Sequence, residues 1–378
     1  MKKIIICLVV CLLIIFGCVS KNISKEAVFS SPQLSTMPPV EDNESKDRTV
    51  TDLLTDPKYF IYNVDWLDST TLLAQLTLAN GDIEAKNAGR VVAWNIKTNE
   101  QKLLYEGKET PGTMPAGMVF GENGFYTYDG KASLKFDNNM VLQEIIKTST
   151  PGKRIHPSKN DEFVRRVDNG LGYFSLKEQT NIIRLKEPHN HKTKDGHEYI
   201  VFYEVPKWSP NGSWIGFYEI AQDFIIPPKL GIISRDGKIQ RTFKFDTATD
   251  FEWSSDSKYL IGINDGNIFR APLEIKIFDI ETGEVLSQLF DKPIEGQKVY
   301  YFYILDSYDT KLLLKTHIEY NKKEVTPVLL YDWKTGEKEF LTQLDYWTVA
   351  ASFSQDGRII AVSGNNKEKP IEFYEIKK

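Results

Sequence analysis

Three of the five histidines lie close together, and their spacing could bind a metal ion. His189 and His191 form a His-x-His pair, and His197 follows six residues later. Imidazoles spaced in this way can coordinate zinc or a similar ion. The stretch around them is rich in lysine and other polar residues, which predicts a solvated loop without the outer partners that orient metal ligands. The sequence therefore predicts no metal site and no cofactor. His189, His191 and His197 are the residues that would be the candidate ligands if a metal did bind.

Motifs of the common catalytic centres are missing from the chain. It has no Gly-x-Ser-x-Gly, no Gly-x-x-x-x-Gly-Lys and no His-Glu-x-x-His. Most paired carboxylates fall in turn positions, as Asp256 and Asp332 do, where they cap turns by accepting backbone hydrogen bonds. The formal charge is −5, with 47 basic and 52 acidic residues. We assign no catalytic residue and expect no nucleic-acid partner, because the chain has no basic excess.

The amino terminus reads as a cleaved targeting segment. Lys2 and Lys3 precede an apolar run of 14 residues, 4–17, which is shorter than the ~20 residues that span a bilayer. A short basic start followed by a short apolar run and a small residue is typical of a secretory signal peptide. We therefore expect residues 1–17 to be a signal peptide.

The end of that segment, Ile15-Phe16-Gly17-Cys18, resembles the lipobox of bacterial lipoproteins. The resemblance implies that Cys18 carries lipid and holds the chain on the extracytoplasmic face of the cell membrane. An uncleaved anchor and a soluble secreted form remain as alternatives. Residues 18–48 have no sustained apolar period and are rich in Ser, Lys, Glu, Asn and Pro. This composition predicts a disordered tether behind the lipidated cysteine.

From residue 49 to residue 378 the chain is organised by an internal repeat. A strand that ends in an aromatic residue, a tight turn and a second apolar strand recur about every 48 residues. The clearest copies are 208–217, 253–262 and 353–362, and degenerate copies start at 66, 120, 156 and 305. A second repeated unit, seen at 91–100, 275–284 and 328–337, is a strand followed by a turn with Gly or Asn and a short last strand.

Together the two units predict four antiparallel strands in each repeat. Such a sheet has two apolar faces, and radial packing of several sheets buries both, so the fold class predicted is an all-β β-propeller. Trp208-Ser209-Pro210-Asn211-Gly212 and its relatives resemble the repeats of TolB-type, WD40-like bacterial propellers. Lipobox, tether and propeller together also resemble a Bacillus-type family of propeller lipoproteins. Seven starts favour seven blades, six remain possible, and residues 49–54 could add a closing strand to the last blade.

The loops between second and third strands are long, at 80–89, 221–229, 264–272 and 317–324. They share one face of a propeller with the connections between blades, of which 187–198 is the longest. We expect this face to bind a partner, because loops on a rigid scaffold commonly carry function, although insertional drift is the alternative. One loop includes the apolar run Phe224, Ile225 and Ile226, which would be a partner contact if exposed and core if tucked over its blade.

Two functions from different classes fit these observations. The first is a non-catalytic, membrane-anchored binding or scaffold module for a protein or a cell-envelope component. The alternative is a propeller enzyme of the lactonase or lyase kind, with a metal in the central channel held by convergent side chains at inner strand ends. The missing catalytic motifs and the anchor favour the first, so we expect a binding module rather than an enzyme.

Overall fold

The computed structural model contains strands and turns and no helix in the part of the chain that it describes. That part comprises residues 27–29, 53–79, 85–107, 117–121, 123–128, 133–146, 162–167, 170–175, 181–221, 228–245, 250–264, 274–291, 297–320, 323–344, 350–364 and 370–376. No helix among these residues is long and apolar enough to cross a membrane.

Strands pair with their sequence neighbours, and the first half of the chain forms three sheets. Sheet 1 comprises β2 (Tyr59–Trp66), β3 (Thr71–Leu78), β4 (Gly89–Asn95) and β5 (Glu100–Gly107). Sheet 2 comprises β6 (Gly117–Gly121), β7 (Gly124–Tyr128), β8 (Ser133–Phe136) and β9 (Leu142–Ile146). Sheet 3 comprises β10 (Glu162–Val167), β11 (Gly170–Ser175) and β12 (Asn181–Lys186).

The second half of the chain forms four further sheets. Sheet 4 comprises β13 (His189–Lys192), β14 (Glu198–Trp208), β15 (Trp214–Ala221), β16 (Lys229–Ser234) and β17 (Gln240–Phe243). Sheet 5 comprises β18 (Asp250–Trp253), β19 (Tyr259–Asn264), β20 (Glu274–Asp279) and β21 (Val285–Asp291), with β1 (Ala27–Phe29) parallel to β21. Sheet 6 comprises β22 (Gln297–Tyr308), β23 (Lys311–Tyr320), β24 (Lys323–Asp332) and β25 (Lys338–Leu344). Sheet 7 comprises β26 (Ala350–Phe353), β27 (Ile359–Ser363) and β28 (Ile371–Glu375).

The apolar core lies between the sheets. Each core cluster formed by the described residues joins two sheets: 3 with 4, 4 with 5, 5 with 6, 6 with 7, 7 with 1, and 1 with 2. The last sheet therefore packs on the first, and both faces of a sheet such as β19–β20 are buried. This radial order confirms the predicted β-propeller, while the number of blades stays a prediction.

The aromatic residue that ends the first strand of a repeat joins neighbouring sheets. Trp66 is 1% exposed, and its indole Nε1–H donates to the Ser352 carbonyl at 3.1 Å, across the junction of sheets 1 and 7. The Trp253 Nε1–H donates to the Lys207 carbonyl at 3.2 Å, across the junction of sheets 4 and 5. The indole therefore serves as both core and inter-sheet hydrogen-bond donor, which explains why this repeat position is aromatic.

The turns of the second repeated unit have the backbone conformation that its glycine and asparagine residues favour. Gly283 and Gly336 have φ values of 78° and 79°, and Asn99 has a φ of 62°. These values lie in the left-handed region that glycine and asparagine tolerate, as the repeat predicts. The closing strand expected from residues 49–54 is not seen where the structure describes them: Leu53 and Leu54 lie in a turn, and Leu54 is buried in the core between sheets 1 and 7. Residues 49–52 lie outside the described residues.

Candidate functional site

The two ends of the ring differ in construction. We call the end with the turns between first and second strands the turn face, and the opposite end the loop face. On the turn face, neighbouring turns are hydrogen-bonded to one another: the Asn211 N–H donates to Ser257 Oγ at 3.0 Å, and the Asp309 N–H donates to Ser255 Oγ at 3.2 Å. These bonds fix the turns of sheets 4, 5 and 6 in one layer.

The serine-containing turns of sheets 4, 5 and 7 on this face are also closed from within. The Ser254 hydroxyl donates to Asp256 Oδ1 at 2.7 Å and accepts the Tyr259 N–H at 2.9 Å. Ser209 and Ser354 make the equivalent pair of bonds in sheets 4 and 7. The serine and acidic or amide residues of these three turns therefore satisfy one another.

Where the structure describes the loop face, its elaboration takes the form of extended strands, and residues 80–84, 222–227 and 265–272 of the expected loops lie outside the described residues. In sheet 6, β22 has 12 residues and β23 and β24 have 10 each, against 6 in β19 and β20 of sheet 5. Four additional residues at ~3.3 Å per residue carry this sheet ~13 Å further. The expected loop 317–324 is therefore wrong for most of its length, because Ile318 pairs with Val325 and Tyr320 with Lys323 in a continued hairpin.

The connection 187–198, which we expected to be a solvated loop, is instead largely a β-ribbon. β13 pairs antiparallel with the first four residues of β14, from His189 opposite Val201 to Lys192 opposite Glu198. A tight turn closes it, since the Thr193 N–H donates to the His197 carbonyl at 2.8 Å and Gly196 has a φ of 92°. All four residues of β13 are exposed, so β13 is a solvent-exposed edge strand of sheet 4.

The base of this ribbon is a packed cluster of titratable side chains between sheets 3 and 4. Tyr203 is 1% exposed and meets Phe217 edge-on, with ring centroids 5.3 Å apart. Lys186 Nζ lies 4.5 Å from the Tyr203 centroid and 3.8 Å from Glu219 Oε2. A cation over an aromatic face is attracted by the ring's negative potential, which stabilises the junction.

Burial dominates the electrostatics of that cluster. It raises the pKa of Tyr203 to about 12, and the Glu219 carboxylate adds to the increase. Desolvation lowers the pKa of Lys186, against the opposing influence of Glu219. Tyr203 is therefore a neutral phenol at physiological pH, and its hydroxyl lies 3.3 Å from Nδ1 of His189. The Tyr203 phenol therefore connects the buried cluster at the foot of the ribbon to an exposed histidine of β13.

A bulge in β14 separates the ribbon from the ring. Register shifts between Glu204 and Lys207, and Val205 adopts a φ of 48°, which is strained for a β-branched residue. Below the bulge, Lys207 Nζ contacts Asp250 Oδ1 at 3.0 Å and Glu252 Oε2 at 3.7 Å in sheet 5. β14 therefore forms part of the ribbon at its amino-terminal end and contacts sheet 5 at its carboxyl-terminal end.

Acidic side chains at the inner strand ends join neighbouring sheets. Ser352 Oγ lies 3.0 Å from Asp65 Oδ1 and 3.1 Å from Asp306 Oδ2, and Asp306 Oδ2 also accepts the Phe353 N–H at 2.8 Å. These contacts connect sheets 1, 6 and 7. Within the described ranges, no group of three or more His, Cys, Asp or Glu side chains is arranged to hold a metal ion.

The structure places the predicted candidates unevenly. His189 and His191 lie on β13 and His197 in the turn that follows, where His197 Nε2 is 3.7 Å from Asp195 Oδ2. Cys18, the signal segment 1–17 and the apolar residues Phe224, Ile225 and Ile226 lie outside the described residues. So does the tether except for residues 27–29, which pair with β21 as β1, so the expected disorder is wrong for these three residues. Sequence reasoning missed the Tyr203–Lys186–Glu219 cluster, because its members are brought together only by packing between two sheets.

No protein-family model and no curated protein sequence matches the chain. Solved structures do. Oligogalacturonate lyase from Vibrio parahaemolyticus matches with a TM-score of 0.54 at 12% identity, over 84% of this chain and 90% of that one. A chain of the Mitotic Checkpoint Complex matches with a TM-score of 0.50 at 10% identity, over 93% and 97%. A TolB-like protein from Agrobacterium tumefaciens matches with a TM-score of 0.43 at 10% identity, over 76% and 98%. At such identities the likeness to the first two structures concerns the fold alone.

Proposed function

We propose that this chain is a membrane-anchored, extracytoplasmic lipoprotein whose β-propeller binds a protein or cell-envelope component through its loop face. The contrast between the two faces carries the proposal. On the turn face, described turns are short and hydrogen-bonded to one another or within themselves, while the loop face presents an exposed ribbon and the long hairpin of sheet 6. Binding segments supported on a rigid scaffold are a common arrangement for recognition.

The ribbon has the properties expected of a contact surface. Ile200 is 44% exposed on β14, beside the exposed residues of β13, so an apolar side chain is offered among polar ones. Its base is fixed by Tyr203, Phe217 and Lys186, which limits the entropy lost on binding. The anchor rests on the lipobox at Ile15–Cys18, and acylation of Cys18 together with a tether would hold this face outside the membrane.

Site-specific photo-crosslinking tests the binding proposal. A crosslinking residue at Ile200 reports on the ribbon, and one at Lys258, whose side chain is 72% exposed on the turn face, is the matched control. We expect a discrete adduct in intact cells from position 200 and none from position 258. Equal adducts from both positions, or an adduct from 258 alone, would contradict the assignment of the face.

Labelled fatty acid tests the anchor separately. The chain with Cys18 should incorporate the label and sediment with membranes, whereas Cys18→Ser should lose the label. Retention of label by the variant would show that the lipid is attached elsewhere and would refute the role of Cys18.

A further inference from the structure

One side of the β13–β14 ribbon carries two histidines. Residues that face each other across an antiparallel pair lie on the same side, and so do residues two apart on one strand. His189 lies opposite Val201 and His191 lies opposite Tyr199, which places both imidazoles on one side. Lys192 and Glu198 face the other side, where Lys192 Nζ lies 3.7 Å from Glu198 Oε1. The ribbon therefore separates its imidazoles from its own lysine.

Tyr203 orients the first of these imidazoles. It lies two residues after Val201 and so on the histidine side, with its hydroxyl 3.3 Å from His189 Nδ1. Because Nδ1 of His189 makes this contact, Nε2 is the nitrogen directed away from the buried Tyr203–Lys186–Glu219 cluster. An outer partner on one ring nitrogen is what fixes a histidine for metal coordination through the other nitrogen. The sequence predicted that such a partner would be missing, and the structure supplies one.

The phenol is itself held in place. Tyr203 is packed edge-on against Phe217 and beneath Lys186, and the charge of Lys186 is balanced by Glu219 at 3.8 Å. His189 is therefore supported by a packed junction of two sheets, whereas an ordinary surface imidazole is free to turn. Rigid support of this kind raises affinity because less rotamer freedom is lost when an ion binds.

We propose that His189 and His191 form an exchangeable site for a divalent transition-metal ion, with Tyr203 as the outer residue that positions His189. Two imidazoles two residues apart on one side of a strand can both reach one ion, and imidazole suits Cu²⁺, Ni²⁺ and Zn²⁺. Water fills the remaining coordination positions. His197 is not among the proposed ligands: it lies in the turn beyond the paired residues, with its Nε2 3.7 Å from Asp195 Oδ2 and its ring centroid 6.4 Å from that of Tyr199. This inference is independent of the proposed partner-binding function.

Titration of the untagged full-length chain with Cu²⁺ and with Ni²⁺ tests the proposal. We expect His189→Ala and His191→Ala each to weaken binding by at least tenfold, and His197→Ala, the matched control, to leave it unchanged. Tyr203→Phe keeps the ring in its packed position and should weaken binding about tenfold or more, as loss of an outer partner does. Circular dichroism of each variant confirms that the fold is retained.

Electron paramagnetic resonance of the Cu²⁺ form supplies a readout of ligation itself. The wild-type chain should show coupling to two imidazole nitrogens and His191→Ala coupling to one. Binding that survives the double substitution His189→Ala, His191→Ala would overturn the site. Loss of binding in His197→Ala equal to that in His191→Ala would overturn the assigned ligands, and wild-type affinity in Tyr203→Phe would overturn the positioning role.

Discussion

Sheets 4 and 5 pack closely at Gly216, which allows the loss of stability on adding a methyl group there to be predicted. A Cβ built on this residue would lie 2.5 Å from Phe251 Cε2 and 3.3 Å from Trp253 Cζ2, whereas ordinary contacts are 3.4–4 Å. Both aromatic rings are buried in the core between the two sheets, and Phe251 is 0% exposed. Gly216→Ala therefore overpacks a filled junction, and such changes cost ~1–3 kcal/mol of unfolding free energy.

A double-mutant cycle isolates that steric cause. Phe251→Leu alone should also destabilise, because it leaves a gap in the same core. It removes the ring that the new Cβ would strike, so the double variant should be more stable than the sum of the single effects by ~1 kcal/mol or more. The assay is denaturant unfolding of the purified protein, monitored by tryptophan fluorescence.

The control pair is Gly283→Ala with Phe251→Leu. Gly283 has a φ of 78° and open space around its Cβ position, so alanine there is strained by the backbone alone. The two substitutions should act additively. Additivity in the Gly216 pair as well would show that Phe251 does not fill the position of the missing Cβ.

Three further predictions concern single residues. Ser254→Ala removes both turn bonds of a buried hydroxyl and should cost ~1–3 kcal/mol in denaturant unfolding, while Ser213→Ala at an exposed position stays within ~0.5 kcal/mol. Val205→Asn should stabilise the fold by ~1 kcal/mol, because asparagine tolerates the φ of 48° and the valine is 37% exposed, and a lower unfolding midpoint would contradict the strain. Hydrogen bonds from the Ser234 hydroxyl and then from Lys238 lower the pKa of Asp236 to about 2. The contribution of the Asp236 carboxylate to stability is therefore complete above the unfolded-state pKa of ~3.9 and is lost as the pH falls towards 2. A midpoint near 4 in an NMR titration of this carboxyl group would disprove the lowered pKa.

Much of the ring could be predicted from the sequence because its determinants are local. The aromatic residues expected at first-strand ends do end strands: Trp208 ends β14, Trp253 ends β18 and Phe353 ends β26. The glycine turns after the third strands have the positive φ values that the repeat implies, as at Gly283. Alternation, turn residues and spacing act over a few residues, so a single sequence is enough to show them.

The candidate site could be predicted only in part because it depends on contacts between distant segments. His189, Asn190, His191 and Lys192 have little strand propensity, yet pairing with Glu198–Val201 makes them a strand. His189 contacts Tyr203. Tyr203 is held in turn by Lys186, whose charge is balanced by Glu219, and these two residues belong to different sheets. Histidine spacing indicated the candidate residues, but tertiary packing supplies the orientation that gives them a role.

Shortening the ribbon tests directly whether the loop face is the recognition surface of the propeller. Replacement of residues 193–197 by Asn-Gly would keep β13 paired with β14 and remove the projecting turn. The control is Lys258→Glu on the turn face, which changes an exposed charge where no partner is expected. The measurement is quantitative recovery, from cell envelopes, of the partner crosslinked at position 200. We expect the shortened chain, still folded, to lose most of that recovery and Lys258→Glu to keep it. Full recovery with the shortened ribbon, or loss with Lys258→Glu, would contradict it.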